Sequence, residues 1–390
     1  MTTTLTINRA DLRSAVGYIL PAISPTILPV LKHLEMRLDP AQKQIELNAT
    51  DIEIRMGISL SAEITIAGEA VLNCLIPSQT FADILGMLEG EQVHMELTDC
   101  GLLIHMGGTK TRLSLSTEDS FPPEMALAPN ASLLSLSPQD LKHALGRVIS
   151  AASTDYSRPA LNAICFDLKG SDLRLVAADG FRLAADLVAV ENVVAEEKQY
   201  LIPLKTAQKL LRSLPAEDEA LSIQADEGRM LFRWGERRFW ASRLDGTFPD
   251  WRQIAYMPDG FTLPGDARPF SHEALEVAVK RAEIFARDGH TPHLIRFVPS
   301  EVGMHISGEG DEIGQSEEEV ACAIHLPFAL NGLYLLQALA GMEREFPHLH
   351  LTGSNQPLIF AEDDFVYVIM PLFTQEDRVP VENMAESVPA

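Results

Sequence analysis

The side chains that most often do chemistry are present in this sequence, but their spacing does not assemble a reaction. His348 and His350, in FPHLH, would share one face of a strand and could offer two imidazoles to a metal. No third ligand stands near them, and two strand histidines are the simpler reading. Asp363 and Asp364 are adjacent, so on a strand their carboxylates point to opposite faces. GEGDEIG at 308–314 has the wrong glycine spacing for a dinucleotide loop, and its acids would repel a phosphate. There is no GxSxG elbow, no GxxxxGK[ST] loop and no HExxH. Cys74, Cys100, Cys165 and Cys322 show no CxxC spacing and read as buried thiols of a reducing compartment. No catalytic residue, metal or cofactor is expected.

What remains is a set of three segments, each by itself only a strand with a turn. SDLRLVAADGFRLA (171–184) reads as two strands joined at Asp179-Gly180, where glycine can take positive φ without steric cost. ASRLDGTFPDW (241–251) reads as a strand ending in Asp245-Gly246 and Pro249. VYVIMPLF (366–373) is a short apolar strand stopped by Pro371.

The elements that must carry these turns recur. Helices are predicted over 8–20, 137–151 and 271–287, with Leu12, Leu141 and Leu275 on their apolar faces and Ser137 and Ser271 as caps. LIPSQTFADILGML (75–88), LIPLKTAQKLLRSL (201–214) and HLPFALNGLYLLQAL (325–339) each pair a strand end with proline and a helix, placing Pro77, Pro203 and Pro327 in register. A strand–Asp–strand element surrounds Asp51, Asp179 and Asp311, and RLSLSTEDSFPP (112–123) matches ASRLDGTFPDW. These landmarks share a period of about 128 residues, the signature of three copies of one unit. Linkers are expected near 124–134 and 255–270. Each copy would hold two helices and roughly eight short strands.

A chain of 390 residues exceeds one ordinary core. No apolar run reaches the ~20 residues that span a bilayer. MTTTLTINRADLR lacks a basic segment ahead of an apolar one, so no secretion leader and a cytoplasmic location are expected. The net charge of −24 has the wrong sign for a conventional nucleic-acid binder. Against that acidity, the predicted helices gather cations: Lys205, Lys209 and Arg212 form one stripe opposite Ala207, Leu210, Leu211 and Leu214.

In their order and separation, the three turn segments resemble the bacterial DNA polymerase III β subunit family, the replicative sliding clamps, over essentially the whole chain to about Phe373. The resemblance implies an α+β fold of three similar DNA-clamp domains, with helices lining a channel, sheets outside and a ring formed by two chains. The domains would span 1–127, 128–258 and 259–374, followed by a disordered tail at 375–390. It implies a non-catalytic processivity factor that encircles duplex DNA without reading its sequence, so that topology rather than charge holds it there. Polymerase and clamp-loader subunits would be tethered through a peptide pocket; no cofactor and no membrane are implied. The matching pocket positions are Leu161, Ala178, Gly180, Phe181, Arg182, Leu183, Pro249, Ile254, Val368, Met370, Pro371 and Leu372. DNA would face Arg9, Arg13, Lys142, Arg147, Lys205, Lys209, Arg212, Lys280 and Arg281. Ile284 and Phe285 would meet Leu113 and Leu115 of a second chain, making a homodimer. Phe181 stands where the family often has histidine and Gln253 where it often has arginine, and the chain runs on past Phe373. The competing readings are an accessory clamp for a plasmid, phage or repair polymerase, and a hydrolase.

Overall fold

The computed structural model describes residues 3–23, 28–65, 71–98, 100–106, 108–116, 121–124, 127–128, 132–216, 219–255, 270–322, 324–346, 348–351 and 353–372. The expected tail at 375–390 lies outside them, as do 125–126 and 129–131 of the first expected linker and 256–269 of the second. The chain forms two compact units, Met1–Lys142 with Leu168–Asp172 and Ala189–Asp245, and His143–Asp167 with Leu173–Val188 and Gly246–Ala390.

The first repeat holds β1 (Thr3–Asn8), α1 (Arg9–Ile19), β2 (His33–Asp39), β3 (Gln44–Thr50), β4 (Ile54–Ser61), β5 (Glu63–Thr65) and β6 (Leu72–Pro77). It continues with α2 (Ser78–Met87), β7 (Gln92–Thr98), β8 (Gly101–Met106) and β9 (Thr109–Leu113). The second holds β10 (Ser132–Leu136), α3 (Pro138–Val148), β11 (Ala163–Ala178), β12 (Arg182–Pro203), α4 (Leu204–Ser213), β13 (Leu221–Ala225), β14 (Arg229–Trp234) and β15 (Arg237–Ser242). The third opens with α5 (His272–Ala286), β16 (Leu294–Pro299), β17 (Met304–Gly310), β18 (Gly314–Val320) and β19 (Phe328–Asn331). It closes with α6 (Gly332–Ala340), β20 (His348–His350), β21 (Leu358–Glu362) and β22 (Phe365–Ile369).

Helices form where the spacing predicts them. α1 is capped by Asn8, whose Oδ1 accepts from the amides of Ala10 at 2.8 Å and Asp11 at 3.2 Å. It buries Leu12, Ala15, Val16 and Ile19, the i, i+3, i+4, i+7 face. α5 is capped by Ser271 and lies close on β17, where a Cβ on Gly308 would stand 2.3 Å from the Ala282 carbonyl. A side chain from the start of each repeat's first helix caps the end of its second. Arg9 Nη1 donates to Leu88 O at 2.9 Å, Lys142 Nζ to Leu214 O at 3.2 Å, and His272 Nε2 to Leu339 O at 2.9 Å.

One landmark is corrected. Pro77 and Pro203 are the N-cap residues of α2 and α4, but the third helix is capped by Asn331, whose Oδ1 accepts from Tyr334 N at 3.1 Å. Pro327 precedes β19, and the helix begins at Gly332 because a strand intervenes. The Asp landmark is cleaner than the sequence suggests. Asp51, Asp179 and Asp311 each open a three-residue turn, between β3 and β4, β11 and β12, and β17 and β18.

The sheets cross the repeat boundaries. β10-β13-β14-β15-β4-β3-β2-β6 is one eight-stranded sheet, joined where β15 pairs antiparallel with β4, Phe239 opposite Met56. β11-β12-β22-β21-β20 is joined where β22 pairs with β12, Leu183 opposite Val368. The end sheets are β5-β1-β7-β8-β9 and β18-β17-β16-β19. By position β9 corresponds to β15 and β22, and β18 to β4 and the start of β12. Among the described residues, β9 and β18 have no strand on their outer edges.

Candidate functional site

The Asp179 turn is held by its own carboxylate. Oδ1 accepts from the amides of Phe181 at 2.8 Å and Arg182 at 3.0 Å, while Oδ2 accepts from Arg182 Nε at 2.9 Å. Gly180 sits at φ 96°, where a Cβ would also meet Arg158 Nη1 at 3.2 Å. The Arg182 side chain is only 9% exposed. Its Nη1 donates to Gln337 Oε1 of α6 and to Tyr367 Oη at 3.3 Å, and its guanidinium lies 4.0 Å from the Tyr334 ring centre. Burial, aided by the Asp179 carboxylate, pushes the Tyr334 phenol above its ordinary range; burial raises Tyr367 as well. Arg182 therefore anchors the turn from beneath and offers little charge to a ligand.

With the guanidinium turned inward, the outer surface is apolar. Phe181 is 59% exposed, and Met370 and Ile254 are exposed too. Met370 N donates to Phe181 O at 2.8 Å, so the end of β22 lies against the turn, and Leu372 N donates to Ala329 O at 2.8 Å. Ala178, Leu183, Val368 and Pro371 are buried beneath these groups; Leu161 and Leu372 are half-buried. The segment bearing Pro249 and Ile254 is pinned by buried Trp251, whose Nε1 donates to Asp167 Oδ2 at 2.6 Å. Arg252 Nη1 adds an ion pair to the same carboxylate at 2.8 Å. Sequence reasoning missed Arg158, Asp167, Tyr334 and Gln337. Only Arg158 left a trace there, in the turn-like SRPAL (157–161) beside Leu161. Gln253 donates to Asp250 Oδ2 at 2.7 Å and is spoken for locally.

The expected DNA-facing set divides. Arg13, Lys205, Arg212, Lys280 and Arg281 are exposed. Arg9 and Lys142 cap helices, as above. Lys280 pairs with Glu276 at 2.8 Å, and Arg281 Nη1 with both oxygens of Glu318 at 2.9 and 3.0 Å. Lys209 is no bystander on a solvated stripe: its Nζ donates to Asp51 Oδ2 at 2.7 Å. Arg147 is a correction, because its side chain is enclosed. It bonds Gly341 O at 2.7 Å, pairs with Asp186 at 3.4 Å and lies 3.9 Å from the Phe365 ring centre.

Of the expected contact groups between chains, Ile284 is 57% exposed and Phe285 half-buried. Leu113 is buried in its own chain, and Leu115 falls beyond the end of β9, which stops two residues short of it. The thiols also differ from expectation: Cys74 and Cys165 are buried, but Cys100 is exposed and Cys322 half-buried. Burial, with Glu35 nearby, pushes the Cys74 thiol up to about 12. Among the described residues no group of three or more His, Cys, Asp or Glu could hold a metal, and no helix is long and apolar enough to cross a membrane.

Three copies of one α+β unit, successive copies sharing a sheet and a held Asp turn, define a clamp-domain protein. Models of the DNA polymerase III beta subunit N-terminal, central and C-terminal domains match residues 3–123, 135–250 and 269–373. The chain belongs to the DNA polymerase III beta subunit family. The beta sliding clamp of Staphylococcus aureus strain Mu50 is 27% identical over 375 residues, covering 91% of this chain and 95% of that one. The DNA polymerase sliding clamp of Pseudomonas aeruginosa superimposes with a TM-score of 0.85 at 25% identity, over 95% of this chain and all of that one. The clamp of Bacillus subtilis shares the fold, with a TM-score of 0.84 at 22% identity over 96% of this chain.

Proposed function

We infer that this chain is a DNA polymerase processivity factor: a non-catalytic sliding clamp that encircles duplex DNA as a two-chain ring and tethers its polymerase. The observation that carries the reading is the pair of edges, β9 and β18, that no strand covers among the described residues. Every other copy of these two strands is paired within the chain, β15 with β4 and β22 with β12. A second copy placing its β18 on this β9, and the reverse, would complete the same junction twice and close the ring without a new kind of contact. Ile284 and Phe285, at the end of α5, then meet the β9 side of the partner.

A closed ring needs no net positive charge, only cations where phosphates pass; Arg13, Lys205, Arg212, Lys280 and Arg281 are the exposed candidates. The apolar surface of Phe181, Pro249, Ile254 and Met370 is the tether site, suited to short peptides with apolar side chains. Tethering raises polymerase output by effective concentration, since re-encounter with the template becomes intramolecular. Product length on a primed circular template tests this reading. With cognate polymerase and loader, the protein should lengthen products, and the Phe181→Ala, Met370→Ala double variant should not. Equal product lengths with and without the wild-type protein would refute it.

A further inference from the structure

The frame that joins successive repeats recurs beyond β9 as one half only. Ser116 N donates to Leu75 O at 3.0 Å, as Leu244 N does to Leu201 O at 2.9 Å and Leu372 N to Ala329 O at 2.8 Å. Leu75, Leu201 and Ala329 each lie two residues before the N-cap of their repeat's second helix, Pro77, Pro203 and Asn331. Ser116, Leu244 and Leu372 are therefore one position, and three residues before it Leu113 aligns with Ala241 and Ile369. At the two closed junctions these residues stand opposite the first residue of the facing strand, Ala241 opposite Ile54 of β4 and Ile369 opposite Arg182 of β12. The next amide crosses the seam: Ser242 N donates to Glu53 O and Met370 N to Phe181 O, each at 2.8 Å. The first residue of β18 is Gly314. Carried to the open edges, the rule sets Leu113 opposite the partner's Gly314 and aims Ser114 N at the partner's Ile313 O.

Register fixes faces as well, because side chains alternate along a strand. Counting on from Leu113, Lys110 stands opposite the partner's Glu317, and Arg112 opposite the partner's Gln315. Leu113 is buried, whereas Lys110 and Arg112 are exposed and have no ion pair or hydrogen bond from their side chains among the described residues. On β7 and β8 behind them the acid of that face is Glu96, which pairs with His105 at 3.7 Å. The other edge is acidic. Glu317 and Glu319 are exposed on one face of β18, and Glu309 of β17 stands opposite Gln315 on the same face. Glu318, between them, turns to the α5 side and is held by Arg281. Glu319 accepts from Ser300 Oγ and lies 3.8 Å from His305, while Glu317 accepts only from exposed Gln315, at 3.2 Å.

Across the open seam the charges therefore interleave. Lys110 directly faces Glu317, and the diagonals Arg112–Glu317 and Lys110–Glu319 are within reach of long side chains. The closed seams lack this pattern: the pairs matching Lys110–Glu317 are Arg238–Gly57 at the first and Val366–Ala185 at the second.

We propose that β9 and β18 select a second copy of this chain: it docks with Leu113 opposite the partner's Gly314, and Lys110 and Arg112 against the partner's Glu317 and Glu319 admit it and turn away a chain without that charge pattern. The inference rests on the two-chain ring reading and adds to it a register and a selectivity. Lys110→Glu with Arg112→Glu makes one variant, and Glu317→Lys with Glu319→Lys a second; all four positions are exposed, so both should fold. In sedimentation velocity each variant alone should dimerise about a hundredfold more weakly than wild type, since like charges then meet at both seams. An equimolar mixture should recover dimers of near wild-type affinity, because each seam of a mixed ring again sets acid against base. For the register, chains carrying Cys100→Ser and Cys322→Ser are oxidised. Thr111→Cys with Ser316→Cys should give a chain-to-chain disulfide, and Thr111→Cys with Glu318→Cys, two residues out of step, should not. Variants that dimerise like wild type, a mixture that stays monomeric, or cross-linking at the out-of-step pair instead would overturn the proposal and leave the ring standing. A wild-type protein monomeric at every concentration would overturn the ring reading and the proposal together.

Discussion

At Asp179 the turn carboxylate is held by Arg182 of its own strand, with Gln337 of α6 behind the guanidinium. At Asp51 the corresponding strand position is Ile54, and the cation comes instead from Lys209 of α4. Lys209 and Gln337 occupy the same place in their helices, five residues after Leu204 and Gly332. Both junctions thus keep a cation on the turn aspartate while exchanging the element that supplies it. The outward faces differ as well: Phe181 and Met370 are exposed at the second junction, Ile52 at the first. At the third copy, Asp311 finds neither arrangement; its amide donates to Asp288 O at 3.4 Å, and β18 beside it lacks an outer neighbour among the described residues.

The contrast between two closed junctions and one open one can be broken most forcefully at α5. Ile284→Ala with Phe285→Ala should convert dimers to monomers, since central apolar anchors contribute ~2 kcal/mol or more each. Sedimentation at low concentration checks it, and an unchanged dimer mass would remove these residues from the interface. Arg182→Ala comes next. It strips the cation from a carboxylate that is itself largely enclosed and should destabilise the second junction by about 3–5 kcal/mol in urea unfolding. Lys209→Ala should cost less, about 1–2 kcal/mol, because Lys209 is the more solvated cation. Equal losses for the two would mean that the junctions are held alike.

The smallest effect concerns pH at Asp226. Burial alone would raise this carboxyl, but the amides of Ala128, Gly228 and Arg229 outweigh burial and hold it below its ordinary range. A carboxyl depressed on folding stabilises the native state above its unfolded value, about 3.9, and that contribution fades as the pH falls further. Asp226→Asn should therefore lower stability at neutral pH and flatten the acid side of the profile, the two proteins converging below about pH 4. A profile parallel to wild type would contradict the assignment.

Much of this was legible in the sequence because local signals and the repeat agreed. Helix faces such as Leu12, Val16 and Ile19, the serine caps and the Asp turns all follow from periods and turn chemistry. Pro327 misled because proline marks a break without saying whether strand or helix follows; Asn331, four residues on, makes the cap. Arg147 and Lys209 misled for another reason. Each lies on the polar side of its helix, and nothing local reveals that Asp186 or Asp51, distant in sequence, waits there. The Asp179 surface was legible as a set of positions, but not the division between exposed Phe181 and Met370 and buried Leu183 and Val368, which depends on register.

The central claim, a ring held by topology, is tested most directly by retention on DNA of different ends. The protein loaded onto nicked circular duplex should co-elute with it through gel filtration at moderate salt, and cutting the circle once should release it. Equal retention before and after linearisation would mean that charge or base contacts hold the protein, and would contradict the account.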